Sequence, residues 1–313
     1  MLNRRHFRVK VMQTIYAMHR HESDSLDKEE KFLLQSIENS QDLYLVMLSI
    51  FNELQLKEKA YLELASKKHL ATKEEQNPNF KFVNNSFFKI LGNHNAFHDK
   101  LEERKIDNWK RNDDCIIFLL EAIKTSDIYK RYMSVETSEF KKDIFFIYDV
   151  FNEIIAPNEK LYDYLEDFKI TWVDDIPVIN TLLSKQIKSI KSFDDSLELP
   201  VVFKDLDDKE FVRNLFRKTV LNELEFAAAF ENKTPNWDKE RIAELDTIIL
   251  KMAICELLKF PSIPVKVTLN EYLEIAKEYS TPKSSIFING ILDNLVKDFQ
   301  ADDKIKKAGR GLL

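Results

Sequence analysis

DTIILKMAICELLKFPSIPVKVTLNEYLEIAKEYSTPKSSIFINGILDNL, residues 246–295, decides the fold. Two short proline-bearing breaks divide it. Pro261 and Pro264 bracket one turn. Thr281-Pro282 marks a helix start, a hydroxyl to cap free amides followed by a proline whose missing N–H costs little there. The apolar spacing predicts helices over about 238–259, 266–279 and 282–299, preceded by another over 207–231. Gly290 falls inside the last of these, where glycine costs about 1 kcal/mol relative to alanine. That cost points either to a close helix contact or to a ligand approaching the backbone.

The opening of the chain reads as one amphipathic helix over 4–20. Phe7, Val11, Ile15 and Met18 form the stripe that should face a core, and Arg5, Arg8, Met12 and Tyr16 form another. A polar bend follows at Ser23–Asp27, then a helical pattern through 28–70. The stretch 71–82 and the segment Ser192–Asp205 read as linkers. Further helices are expected at about 83–105, 112–132, 137–155, 158–168 and 174–191. Residues 146–172 echo 211–237 at a constant offset, aligning Phe146, Phe151, Leu165 and Trp172 with Phe211, Phe216, Phe230 and Trp237. The organisation expected is a first helix (1–20), an expanded helical region (21–204), a C-terminal bundle (205–300) and a basic, disordered tail (301–313).

Composition agrees with an all-α chain. Its 313 residues are 44% hydrophobic and 32% charged, with only four glycines, too few for the turns of a β-rich protein or for nucleotide-cradling loops. No apolar run approaches the roughly 18 residues needed to cross a bilayer. Arg4, Arg5, Arg8 and Lys10 interrupt any signal-peptide pattern, and a cytoplasmic location is expected. Cys115 and Cys255 lie far apart in apolar helical patterns and read as two buried thiols, not a disulfide or zinc framework. The net charge of −6 argues against indiscriminate polyanion binding. Residues 1–20 nevertheless carry five Lys and Arg side chains and no acid, which marks a localised footprint.

Catalytic signatures are missing. There is no phosphate loop, dinucleotide fingerprint, nucleophile elbow or H-E-x-x-H. His94 and His98 have chelating i, i+4 spacing, but no motif supplies a third ligand, and a surface pair is the plainer reading. Acidic pairs such as Asp174-Asp175 and Asp207-Asp208 suit helix caps. No enzyme activity, cofactor or metal is expected.

Two segments together carry a family resemblance. RRHFRVKVMQTIY (4–16) is similar to the opening helix of NusB proteins. Residues 246–295 resemble their C-terminal run: CEL in place of a usual YEL, then Pro264, Lys266 and Val267, then Asn270, Glu271, Ala276 and Lys277, then Phe287, Asn289, Gly290, Leu292 and Asp293. The resemblance covers about two fifths of the chain and leaves 21–204 unexplained. It implies a NusB-like helical bundle with a large helical region added between its first helix and the rest. It also implies a non-catalytic factor in transcription antitermination and termination. Such a factor binds boxA-like single-stranded RNA with NusE, a ribosomal small-subunit protein, within the transcription elongation complex and in support of ribosomal RNA synthesis. A homodimer that buries the arginine helix is a further implied state.

By the same resemblance Arg4, Arg5 and Arg8 contact phosphates or base edges, Tyr16 and Phe287 offer stacking platforms, and Asn289 joins the contact set. Aromatic stacking with arginines on the backbone is a common way to hold single-stranded RNA. Ordinary core packing is the competing reading for both rings. Asp246 can hydrogen-bond a base or cap its helix. The chain departs from the family pattern at Ser280, where a glycine is usual, and at Ile286, where a lysine is common. Lys283 stands near a familiar acidic position and can supply the local positive charge instead. Two other readings remain at this level: a protein-interaction scaffold that has lost specific RNA binding, and an RNA-modification accessory module.

Overall fold

The computed structural model describes residues 2–69, 72–135, 137, 139–231 and 243–308. It is all-helical, with no strand among the described residues. The chain runs through α1 (Arg4–Arg20), α2 (Leu26–Ala65), α3 (Lys73–Gln76), α4 (Ser86–Gly92), α5 (Asn95–Glu103) and α6 (Asn108–Arg111). Then come α7 (Asp113–Thr125), α8 (Asp127–Met133), α9 (Phe140–Val150), α10 (Glu159–Phe168) and α11 (Ile176–Ser189). It ends with α12 (Leu206–Leu221), α13 (Glu223–Glu231), α14 (Glu244–Lys259), α15 (Val265–Tyr279) and α16 (Pro282–Ala301).

Two compact units result. One is Glu38–Val202; the other joins Leu2–Ile37 to Phe203–Leu313. The division falls inside α2, so 21–37 belong with the C-terminal helices and not with the expanded middle. Of the stretch 71–82, read as a linker, the described residues 72–82 are part of the first unit. Thr72 caps α3 there, and Phe82 is buried.

In the Glu38–Val202 unit, isoleucines and leucines make most of the core, with a cluster of phenylalanines among them. Phe51 meets Phe87 at 5.0 Å and Phe151 at 6.1 Å between ring centroids. Each fully buried ring contributes about 1.5–3 kcal/mol. The buried carboxylate of Asp143 accepts hydrogen bonds from the Ser86 amide (3.0 Å), the Ser86 hydroxyl (2.7 Å) and the Tyr132 hydroxyl (2.7 Å). Several expected long helices are pairs, each broken by a cap. His94 accepts from the Phe97 amide and separates α5 from α4, and Ser126 caps α8 after α7. α9 continues into a π turn, Phe151–Ile155, whose first and last side chains are both buried. All described members of the 146–172 and 211–237 echo are buried; Trp237 lies outside the described residues.

The other unit is built around α14. Ile248, Ile249, Leu250, Met252, Ala253, Ile254, Cys255 and Leu257 are all buried, so this helix has almost no solvent face and serves as the central element. It packs against α1, α12, α13, α15 and α16. α1 keeps the predicted bounds, and Phe7, Val11, Ile15 and Met18 are its buried stripe. Asn3 opens α1 with a capping box shared with His6. The expected helix over 207–231 is divided at Asn222 into α12 and α13. Residues 238–242 of the next expected helix lie outside the described residues.

The expected disordered tail is docked as far as it is described. Lys307 donates to the Glu256 and Phe260 carbonyls (3.0 and 2.9 Å), satisfying the end of α14, and the Ala308 amide donates to Pro261 (3.0 Å). Residues 309–313 lie outside the described residues. No described helix is long and apolar enough to cross a membrane.

Candidate nucleic-acid interface

The three N-terminal arginines share one end of the α14 unit, and each faces a carboxylate. Arg8 is 2% exposed and Glu256 0%. Their contact is bidentate, Nε to Oε2 at 2.8 Å and Nη2 to Oε1 at 2.9 Å. The remaining capacity of Glu256 is filled by the Thr268 hydroxyl (2.8 Å) and the Tyr272 hydroxyl (3.3 Å). The Arg8 guanidinium also lies over the rings of Phe211 (5.2 Å) and Tyr272 (5.8 Å). Burial alone would lower the Arg8 pKa, but hydrogen bonding and charge from Glu256 outweigh it and hold the group cationic. Burial, reinforced by the Glu256 charge, pushes the Tyr272 hydroxyl well above its ordinary value.

Arg5 donates to both oxygens of Glu271, each at 3.0 Å. That hydrogen bonding raises its pKa further. Arg4 reaches Asp208 at 3.3 Å and lies 4.9 Å from the Phe211 ring centre. Beside these groups is an open groove of about 530 Å³, lined by Asn3, Arg4, Arg5, Pro264, Val267 and Glu271 among others.

The second predicted stripe of α1 is therefore exposed only at its ends. Arg8 and Met12 are buried in its middle. Burial turns Arg8 toward the protein's own carboxylate, Glu256, rather than outward to the phosphate or base edge that the resemblance implied for it. Tyr16 is 40% exposed and lies eleven residues, three helical turns, beyond Arg5 on the same face.

The start of α16 lies near the other end of α14. His19, one turn beyond Tyr16, contacts Glu223 (2.8 Å) and Glu244 (3.5 Å), the latter opening α14. The Ser280 hydroxyl donates to Asp246 at 2.6 Å, tying the approach to α16 to that same helix start. Tyr16, through His19, and the approach to α16, through Ser280, both lie toward the start of α14, whereas Arg5 is about 17 Å from Tyr16 along α1 by helical rise. Asp246 is buried and spent on Ser280. Lys283 is exposed, Phe287 is half-buried, and the Asn289 amide donates to Asp293 (3.2 Å). Ile286, where the family pattern has lysine, is 76% exposed.

Gly290 faces solvent, and a Cβ there would meet nothing within 4 Å. No close helix contact explains this glycine. Gly290→Ala should therefore raise the local stability of α16 by about 0.5–1 kcal/mol, read as slower hydrogen exchange of its amides, with the midpoint of that protection moving the same way in urea. A lower midpoint would show that the site is not the ordinary open helix surface described.

The acidic partners were missed in the sequence, although two were in plain sight. Glu256 is the acid of CEL and Glu271 the acid of the Asn270-Glu271 motif, both at or near positions that carried the resemblance. Histidine and cysteine behave as ordinary structural residues. His94 Nε2 contacts the Leu197 carbonyl (2.6 Å) and His98 Nε2 the Leu91 carbonyl (3.1 Å). No metal-capable group of three His, Cys, Asp or Glu residues occurs among the described residues. Cys255 is buried and its thiol pushed up to about 12 by burial, whereas Cys115 is only half-buried.

The sequence model of the NusB family matches residues 185–297. A transcription antitermination protein NusB from Salinibacter ruber is 41% identical over 109 residues, which are 35% of this chain and 68% of that protein. The chain belongs to the NusB family. Relatives of the same name from Chloroherpeton thalassium and Finegoldia magna are 36% and 45% identical. Those matches span 53% and 63% of the relatives' own lengths, and 36% and 26% of this chain. A solved structure of T. maritima NusB aligns at 27% identity over 44% of this chain and 85% of that one, with a TM-score of 0.29. A superposition that loose has no bearing on the fold. The NusB family match leaves out α1, which the structure packs against α12, α14 and α15 inside the matched region.

Proposed function

We propose that this NusB family member is a transcription antitermination factor that holds boxA-like single-stranded RNA along α1, with NusE as its protein partner. The observation that carries the reading is Tyr16: an exposed ring in line with Arg5, whose guanidinium borders an open groove. In this reading a strand following α1 meets Arg4 and Arg5 at one end and Tyr16 at the other, and Lys283, Phe287 and Asn289 of α16 are its further contacts. Arg8 and Asp246 act in this reading as positioning residues, Arg8 fastening α1 to α14 and Asp246 fastening α14 to Ser280. Titration of boxA-like and scrambled RNA, with and without NusE, tests it. A clear preference for boxA that strengthens with NusE is expected; equal binding of both RNAs in both conditions would reject it.

One observation favours a second reading, the interaction scaffold. Arg4, Arg5 and Arg8 each have a carboxylate of their own, which reduces the charge offered to phosphate. Glu271→Gln separates the two. The Arg5–Glu271 pair is partly exposed and contributes about 0–1 kcal/mol, so releasing Arg5 should strengthen RNA binding by up to about fivefold. The salt dependence should steepen as well, because another cation engages phosphate. RNA affinity that stays negligible in both proteins would favour the scaffold.

A further inference from the structure

The Glu38–Val202 unit has its own groove, of about 500 Å³, between α8 and α9. Its floor is aromatic: Tyr132 and Phe146 stack with ring centroids 3.9 Å apart and planes at 14°. Phe145 stands at its edge, 45% exposed. Lys141 and Lys142 precede Phe145 by four and three residues and so share its helix face. Both are exposed, as is Arg131 on the α8 side. Lys81 closes one side, its ammonium 4.2 Å from the Tyr132 ring centre and donating to the Tyr132 and Val135 carbonyls.

Two carboxylates also line the groove. Glu139 is paired with Lys142 at 2.6 Å. Burial, with Glu153 nearby, raises the pKa of Asp149 against the pull of Arg131, which weakens its hold on negative charge. On a chain of net charge −6, Lys81, Arg131, Lys141 and Lys142 give this groove more cations than carboxylates. Core packing accounts for Tyr132 and Phe146 but not for Phe145, whose ring gains little from burial where it stands.

We infer that this groove is a second binding site for single-stranded RNA, with a base stacked on Phe145 and adjacent phosphates held by Lys141 and Arg131. An exposed ring flanked by cations, with the Lys141 ammonium 5.9 Å from its centre, fits an unpaired strand better than a duplex, whose bases are already stacked. The site does not depend on the α1 reading.

The test uses the full chain and a labelled oligouridylate of about a dozen nucleotides, within the site sizes known for single-strand binders. Phe145→Ala should weaken binding about tenfold, the scale expected for one stacked base. Lys141→Glu with Arg131→Glu should weaken it and flatten its salt dependence. These side chains are exposed, so helicity should be unchanged. Repeating the series in a Tyr16→Ala, Arg5→Glu background isolates this groove: residual binding there, lost on adding Phe145→Ala, supports the second site whatever becomes of the first. Wild-type affinity in Phe145→Ala, equal binding of a duplex of the same length, or no oligouridylate binding by the wild-type chain would each overturn it.

Discussion

Replacing Arg8 by alanine should destabilise the α14 unit by about 3–5 kcal/mol, the cost of breaking a buried ion pair from one side. Glu256 would be left fully buried with two hydroxyl donors and no cation. Arg8→Glu should be worse, since it sets two carboxylates against each other away from water. Neither variant can then serve as a probe of RNA contact, because lost binding would follow from lost structure. Arg8→Met combined with Glu256→Leu should recover only part of the stability: it removes the unpaired charge but leaves the buried Thr268 and Tyr272 hydroxyls without their acceptor. Because the chain has two units, one global unfolding curve is a poor readout. Hydrogen exchange of the α1 and α14 amides is the appropriate measurement. Protection in Arg8→Ala within about 1 kcal/mol of wild type would contradict the buried role.

Tyr16→Ala should do the reverse. Its ring is exposed, so stability should change by no more than about 0.5 kcal/mol. If the ring stacks on a base, affinity for boxA-like RNA should fall by about tenfold or more. Tyr16→Phe should keep most of that affinity, since stacking needs the ring and not the hydroxyl. A Tyr16→Ala protein that binds RNA as tightly as wild type would remove the ring from the interface. A protein that loses both binding and helix protection would make Tyr16 a packing residue.

Much of the fold was legible because its signals are local. The α1 bounds followed from its apolar stripe, and Thr281 does cap α16 ahead of Pro282. Breaks made by a single cap were harder to read. Asn222, Ser126 and His94 each interrupt an apolar period that continues on the other side, so periodicity alone merges the two helices. The arginine positions were visible, but the burial of Arg8 was not. Arg8 and Glu256 are 248 residues apart, and nothing local in either segment says that they meet. Tyr16 stood out beside arginines, whereas Phe145 lay in the stretch the resemblance left unexplained.

The discontinuity of the α14 unit has a consequence for how the chain is made. Residues 38–202 form one uninterrupted segment, so that unit can fold as soon as it leaves the ribosome, before synthesis is finished. α1 emerges before that unit, yet its main packing partners α12, α14 and α15 follow only after it. Its Phe7, Val11 and Ile15 face is an early, unpartnered hydrophobic surface through most of translation. Nascent chains stalled before α14 should therefore be held by chaperones at this helix, and released once α14 and α15 have emerged.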